Sequence, residues 1–295
     1  MIEKILTSNG IIEEIINSSI VKKAKLDNRD YSHFHPSEFD QCHRKLIYLF
    51  YESKGYIKVD KKDSAFDPRL HRIFDNGHHL HHRLGKNLLD SGMLRGVWSC
   101  KKCAKKYGTD SKLGILKPDC CSNCKPNPIA GSIDYEFNYH EIGFFDEETY
   151  WGGHVDAILD ISDFNYHEMK VSKSSCPEEY MLIVDFKSMR QEKFRLLNTP
   201  EPKHATQMQI YLYLSGLKYG KFLYENKNDQ NFKEFLVVRD DDLILEKARQ
   251  ASKLKQIALN TNTKGQRTLP PRPYTKSNVS ECVECKFRGH CWDLK

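Results

Sequence analysis

The chain contains no run of ~18 consecutive apolar residues, the length a membrane-spanning helix requires, although apolar residues make up 39% of it. Its first ten residues, MIEKILTSNG, lack the apolar stretch and small-residue cleavage site of a secretory signal. A cytoplasmic protein is therefore the expectation. No G-x-x-x-x-G-K-[ST] segment occurs, so any nucleotide-driven unwinding would come from a partner. No internal repeat is visible, which excludes solenoid and propeller arrays. Lysine and arginine are absent from residues 134–168, where ten acidic residues fall.

What is present is cysteine, aromatics and unevenly placed charge. With 295 residues the chain is long enough for one large domain or two small ones, and 15 Phe and 15 Tyr supply a core. Ten cysteines in a protein expected in a reducing compartment favour metal ligation over disulfides. Net charge is +6, yet residues 247–295 hold eleven basic and three acidic residues, and residues 100–125 hold seven lysines and two aspartates. An acidic centre between basic segments suits a cation site beside a polyanion track.

Apolar periodicity predicts a helix over 2–25 and another over 68–89, the latter carrying His71, His78, His79, His81 and His82. Pro36-Ser37 followed by Asp40 reads as a capped helix start, with Ser37 as N-cap. Residues 97–131, rich in Cys, Lys, Gly and Pro, read as an inserted module. Strands are expected at 133–139, 150–161, 181–187 and 234–239, and helices at 203–217 and 241–258. This order fits a mixed α/β or α+β layer in a single domain over 1–295.

Two segments carry chemistry, GGHVDAILD with Asp156 and MLIVDFK with Asp185 and Lys187. Strand alternation points Asp185 and Lys187 to one face. Two carboxylates suit a hard cation such as Mg²⁺ or Mn²⁺, which can hold a phosphodiester and acidify an attacking water. Lys187 would offset developing negative charge. Alone, D-x-K is a weak signal.

The chain also contains, in order, Gly77-x-x-x-His81, Gly153-x-x-Asp156, Asp185-x-Lys187 and Gln207-x-x-x-Tyr211. That succession resembles the RecB-like PD-(D/E)XK nucleases. The resemblance implies a restriction-endonuclease-like core, a central mixed sheet flanked by helices. It implies His81, Asp156, Asp185 and the carbonyl of Phe186 as Mg²⁺ or Mn²⁺ ligands, Lys187 as the catalytic lysine, and Gln207 and Tyr211 as residues that orient the site and touch the DNA backbone. The implied activity is a metal-dependent deoxyribonuclease, an exonuclease on single-stranded DNA ends in repair or recombination. Alternatives are a CRISPR-type end-trimming nuclease working with partners, and a non-catalytic DNA clamp. Intact Asp156, Asp185 and Lys187 argue against the clamp.

Cysteines form two quartets. Cys282-x2-Cys285-x5-Cys291 lacks a fourth local thiol, and Cys42 is the candidate partner. The iron–sulfur members of the same family, of the AddB and CRISPR-adaptation types, show this split arrangement. It implies a [4Fe–4S] clasp joining residues 270–295 to Cys42, with zinc at the same ligands as the alternative. Cys100-x2-Cys103 and Cys121-x2-Cys124, 17 residues apart, have the spacing of a zinc ribbon. A second cluster or metal-free thiols remain alternatives there, and Cys120 competes with Cys121. Lys101, Lys102, Lys105, Lys106 and Lys112 suggest phosphate contacts, against a purely structural finger. Cys120 and Cys176 are left without a role.

Overall fold

The computed structural model describes residues 11–23, 29–59, 67–124, 136–164, 177–260 and 268–292. Helices α1 (Ile11–Lys23), α2 (His43–Ser53) and α3 (Pro68–Asp90) come first. Short strands follow: β1 (Leu94–Arg95), β2 (Val97–Cys100), β3 (Lys106–Tyr107), β4 (Phe137–His140), β5 (Gly143–Phe145), β6 (Gly152–His154) and β7 (Ala157–Asp160). The long strand β8 (Met181–Met189) is joined through α4 (Gln191–Leu196) and α5 (Pro202–Ser215) to β9 (Tyr219–Asn226), which pairs with β10 (Phe232–Val238). Helices α6 (Asp241–Leu259), α7 (Ser280–Val283) and α8 (Arg288–Trp292) follow.

Five strands make the central sheet in the order β1-β7-β8-β9-β10. Only β8 and β9 run parallel; the other pairs are antiparallel. The architecture is mixed α+β, a mixed sheet between helices, as expected. Strand β8 is apolar on both faces because both are covered. Val184 and Phe186 pack with Leu80 and Leu84 of α3. Met181, Ile183 and Met189 pack with Met208, Tyr211 and Leu212 of α5. A helix on each face therefore fixes the strand that carries Asp185 and Lys187.

Three local expectations need correction. Ser37 caps no helix. Pro36–Glu38 is a single 3₁₀ turn, and the helix begins at His43 with Cys42 at its N-cap. The cause is tertiary. Arg29 donates to Ser37 Oγ at 3.1 Å, and Asp40 is taken by Lys247 at 2.8 Å and Thr206 at 3.3 Å. Residues 150–161 are two strands, not one, and the break leaves Asp156 between β6 and β7. There Val155 N–H donates to Ile142 and the Asp156 carboxylate accepts from Phe186. A third difference is strand β9, which was not expected and whose Gly220-Lys221 interrupts the apolar pattern of Tyr219, Phe222, Leu223 and Tyr224. The helix expected over 2–25 is described only from Ile11 to Lys23, and the rest of that span lies outside the described residues.

Strands β3, β2 and β4 form a small antiparallel sheet. It carries the cysteine-rich segment and shares Leu89 and Tyr139 with the cluster under the central sheet. Trp98, 1% exposed, donates its indole N–H to the Ile115 carbonyl at 2.9 Å. The finger is thus rooted in the core by its first strand.

Candidate active site and cysteine centres

Asp185 and Lys187 lie on one face of β8, with Lys187 Nζ 2.6 Å from Asp185 Oδ1. Gln207, on the second turn of α5, closes the pair. It donates to Asp185 Oδ2 at 2.9 Å and accepts from Lys187 at 3.1 Å. Asp185 is 3% exposed, and its Oδ1 accepts no well-directed hydrogen bond despite the nearby ammonium. Burial pushes this carboxyl up to about 6; the Asp156 charge adds to the rise and Lys187 opposes it.

Asp156 approaches from the break before β7. Its Oδ2 accepts the Phe186 N–H at 2.7 Å, and its Oδ1 lies 3.1 Å from His81 Nδ1. Burial alone would lower the His81 pKa, but the Asp156 hydrogen bond and charge, with Asp185, raise it above its ordinary value. The His81 ring also meets Phe186 edge-on at 5.8 Å. Tyr211, one turn beyond Gln207, donates its hydroxyl to the His154 carbonyl at 2.8 Å. It is 5% exposed and braces the strand that leads to Asp156.

The structure thus gathers His81, Asp156, Phe186, Asp185, Lys187, Gln207 and Tyr211 at one end of the sheet. Asp156 turns to His81, and Asp185 turns to Lys187 and Gln207. The three donors His81, Asp156 and Asp185 do not all close to within 4.8 Å. Two neighbours went unnoticed in the sequence. Glu141, hidden in the acidic run, has its pKa raised by burial and by the Asp156 charge. Tyr224, the register partner of Lys187, lies 2.8 Å from His204 Nδ1, and burial lowers that imidazole to about 4.

Cys100, Cys103, Cys121 and Cys124 bring their sulfurs within 4.8 Å of one another and could bind a metal ion. Cys100 Sγ lies 3.8 Å from Cys124 Sγ, and Cys103 Sγ 3.5 Å from Cys121 Sγ. A tetrahedron with metal–sulfur bonds of ~2.3 Å has an edge of about 3.8 Å, so the spacing suits one ion. Cys121 is the fourth member; Cys120 is exposed and outside the group. The Tyr107 hydroxyl donates to Cys121 Sγ at 3.2 Å and holds that thiol down at about 6.

The split quartet is also brought together, less tightly. Tyr48 of α2 stacks on Phe287 at 5.3 Å and donates to the His290 carbonyl at 3.1 Å. Arg44 donates to Pro270 at 2.8 Å, and Lys286 pairs with Glu52 at 2.7 Å. Burial raises the Cys285 thiol, and the nearby Cys42 and Cys282 add to it. No three of Cys42, Cys282, Cys285 and Cys291 lie within 4.8 Å of one another. Cys176 lies outside the described residues. Among the described residues, no helix is long and apolar enough to cross a membrane.

No protein-family model and no curated protein matches the sequence. Among solved structures, the crystal structure of SSO0001 is similar over 84% of this chain and 88% of its own, at 15% identity and a TM-score of 0.41. An alkaline exonuclease, LHK-Exo from Laribacter hongkongensis, is similar over 40% of this chain and 56% of its own, at 18% identity and a TM-score of 0.30. Its complex with dAMP gives the same identity, TM-score and share of this chain, with 55% of its own length covered. These likenesses are distant, and the function rests on the site's own geometry.

Proposed function

We propose that this protein is a Mg²⁺- or Mn²⁺-dependent nuclease that hydrolyses phosphodiester bonds in DNA, acting on single-stranded ends. The observation that carries this is the buried Asp185–Lys187–Gln207 arrangement beside Asp156 and His81. Asp156, Asp185 and His81 would hold the cation, with the Phe186 carbonyl as a further donor. Two carboxylates and an imidazole suit a hard divalent ion, and the buried Oδ1 of Asp185 is an acceptor without a directed donor. Such an ion supplies positive charge against a phosphate and lowers the pKa of a water.

The protein's own groups do the rest. Gln207 fixes the Lys187 ammonium by accepting from it, so the charge is aimed before substrate arrives. The Phe186 N–H ties Asp156 to β8 and sets the distance between the two carboxylates. Tyr211 holds the His154 carbonyl and thereby the chain entering Asp156. Gln207 and Tyr211 act as positioning residues.

The finger quartet would hold zinc, supported by its sulfur spacing. The split quartet would hold a [4Fe–4S] cluster. That reading is supported by the C-x2-C-x5-C spacing of Cys282, Cys285 and Cys291 and by the placement of Cys42 and Cys282 near Cys285. Asp185→Ala and Lys187→Ala should each reduce DNA cleavage below detection, with unchanged circular dichroism and unchanged metal at the cysteines. Full activity in either purified variant would remove the assignment.

A further inference from the structure

Beside Tyr211 lies a cleft of about 690 Å³ that the catalytic arrangement does not use. Its walls come from three distant parts of the chain: His33 and His35, the β5–β6 hairpin with Phe144 and Phe145, and Tyr211 of α5. The hairpin's second strand runs directly into Asp156, and Tyr211 donates to the carbonyl of His154 in that strand. The cleft and the carboxylates therefore share one rigid support.

We propose that this cleft is a nucleobase subsite that takes one unpaired base of the strand entering the active site. The proposal rests on the nuclease reading and names the substrate form that the site selects. Phe145 is 58% exposed, although its surroundings are fixed. Its ring meets His33 edge-on at 6.0 Å and Tyr150 at 5.9 Å. Lys255 sits 4.7 Å over the Tyr150 ring and donates to the Glu147 carbonyl, pinning the hairpin turn to α6. A braced aromatic face left open to solvent is a stacking platform.

Gly153 lines the cleft, and Gly152 precedes it in the chain. A Cβ on Gly152 would come within 2.5 Å of the His33 ring, and one on Gly153 within 3.2 Å of the Tyr211 hydroxyl. The His33 and Tyr211 side chains, both lining this slot, thus pack against bare backbone. The His33 and His35 rings lie 4.5 Å apart. Burial lowers both their pKa values, His35 to about 4, so they present neutral rings at neutral pH. Ser32 and Asp30 add polar edges to the rim, as base edges require. A base held in a duplex reaches such a slot only by breaking its pair, which favours single-stranded substrate.

The test uses a single-stranded oligonucleotide carrying 2-aminopurine at successive positions from its end, with and without Phe145→Ala and Phe145→Trp. Fluorescence is read without divalent cation, where binding is independent of cutting. One position should be quenched by the parent protein and by Phe145→Trp, and unquenched by Phe145→Ala. With Mg²⁺, an abasic residue at that position should lower kcat/KM about tenfold in the parent and little in Phe145→Ala, because both changes remove one stack. Equal quenching by parent and Phe145→Ala overturns the subsite, whether or not the protein cuts DNA. Quenching lost in Phe145→Ala without any cutting keeps the subsite and refutes the nuclease reading instead.

Discussion

The two cysteine quartets each gather four thiols, but in opposite ways. Cys100, Cys103, Cys121 and Cys124 span 25 residues, and their sulfurs already stand within 4.8 Å. A three-stranded sheet and the Tyr107 hydroxyl preset them. Cys282, Cys285 and Cys291 are close in sequence, but Cys42 lies 240 residues before Cys282, and tertiary contacts bring it to them. Short loops make local thiols cheap to gather in entropy; joining distant ones requires a packed interface first. The finger's geometry thus comes from its own strands. The clasp's geometry comes from Tyr48, Phe287, the Lys286–Glu52 ion pair and the Arg44 hydrogen bond to Pro270.

That contrast can be broken from either side. Cys121→Ala should remove the finger's metal entirely, from one ion per chain to none by elemental analysis, while Cys120→Ala leaves it in place. Cys42→Ala should strip iron and its brown colour from anoxically purified protein yet leave the finger metal bound. Phe287→Ala, which keeps all four thiols, should cost about 3–5 kcal/mol of stability in denaturant titrations, because Phe287 is fully buried against Tyr48. An unchanged midpoint would show that the thiols, not the packing, close the clasp.

The carboxylate site should respond to pH through Asp185 and His81. Asp185 must be ionised to ligate a cation, and its folded pKa lies near 6 against an ordinary 3.8. The half-saturating Mn²⁺ concentration should rise at least tenfold per pH unit below about pH 6, and it should level off only above the raised His81 pKa. His81, with its raised pKa, steepens the same limb. For the cation-free chain the sign reverses. Folded Asp185 holds its proton more tightly than unfolded Asp185, so its contribution to stability falls as pH rises from about 4 to about 6. Isothermal titration over pH 5–8 reads the first effect, and a flat profile would place Asp185 outside the cation site.

The smallest expected effect concerns the finger's charge. Lys101 pairs with Glu136 and Lys105 with Ser122, whereas Lys102 and Lys106 are exposed. Reversing Lys102 and Lys106 to Glu should weaken DNA binding across all sequences and reduce the salt slope by roughly two. Unchanged affinity and slope, with metal retained, would make the finger purely structural.

Residues that act through local spacing were legible in the sequence. Strand alternation placed Asp185 and Lys187 together, and C-x2-C spacing placed the finger thiols. Spacing favoured Cys121 over Cys120 without excluding the latter; burial beside Trp98 and the Tyr107 hydrogen bond decide it. Ser37 looked like a cap because its tertiary partner, Arg29, is invisible to a local pattern. The break at Asp156 depends on a hydrogen bond to a strand 30 residues away. The aromatic cleft had no signal at all, since residues near 33, 145 and 211 meet only in the folded chain.

The central claim is tested most directly by incubating anoxically purified protein with end-labelled single-stranded DNA, with Mg²⁺, with Mn²⁺ and with neither. Progressive shortening of the strand that requires a divalent cation and vanishes in Lys187→Ala is the predicted result. Intact DNA under every cation, with both cysteine centres loaded, would contradict it.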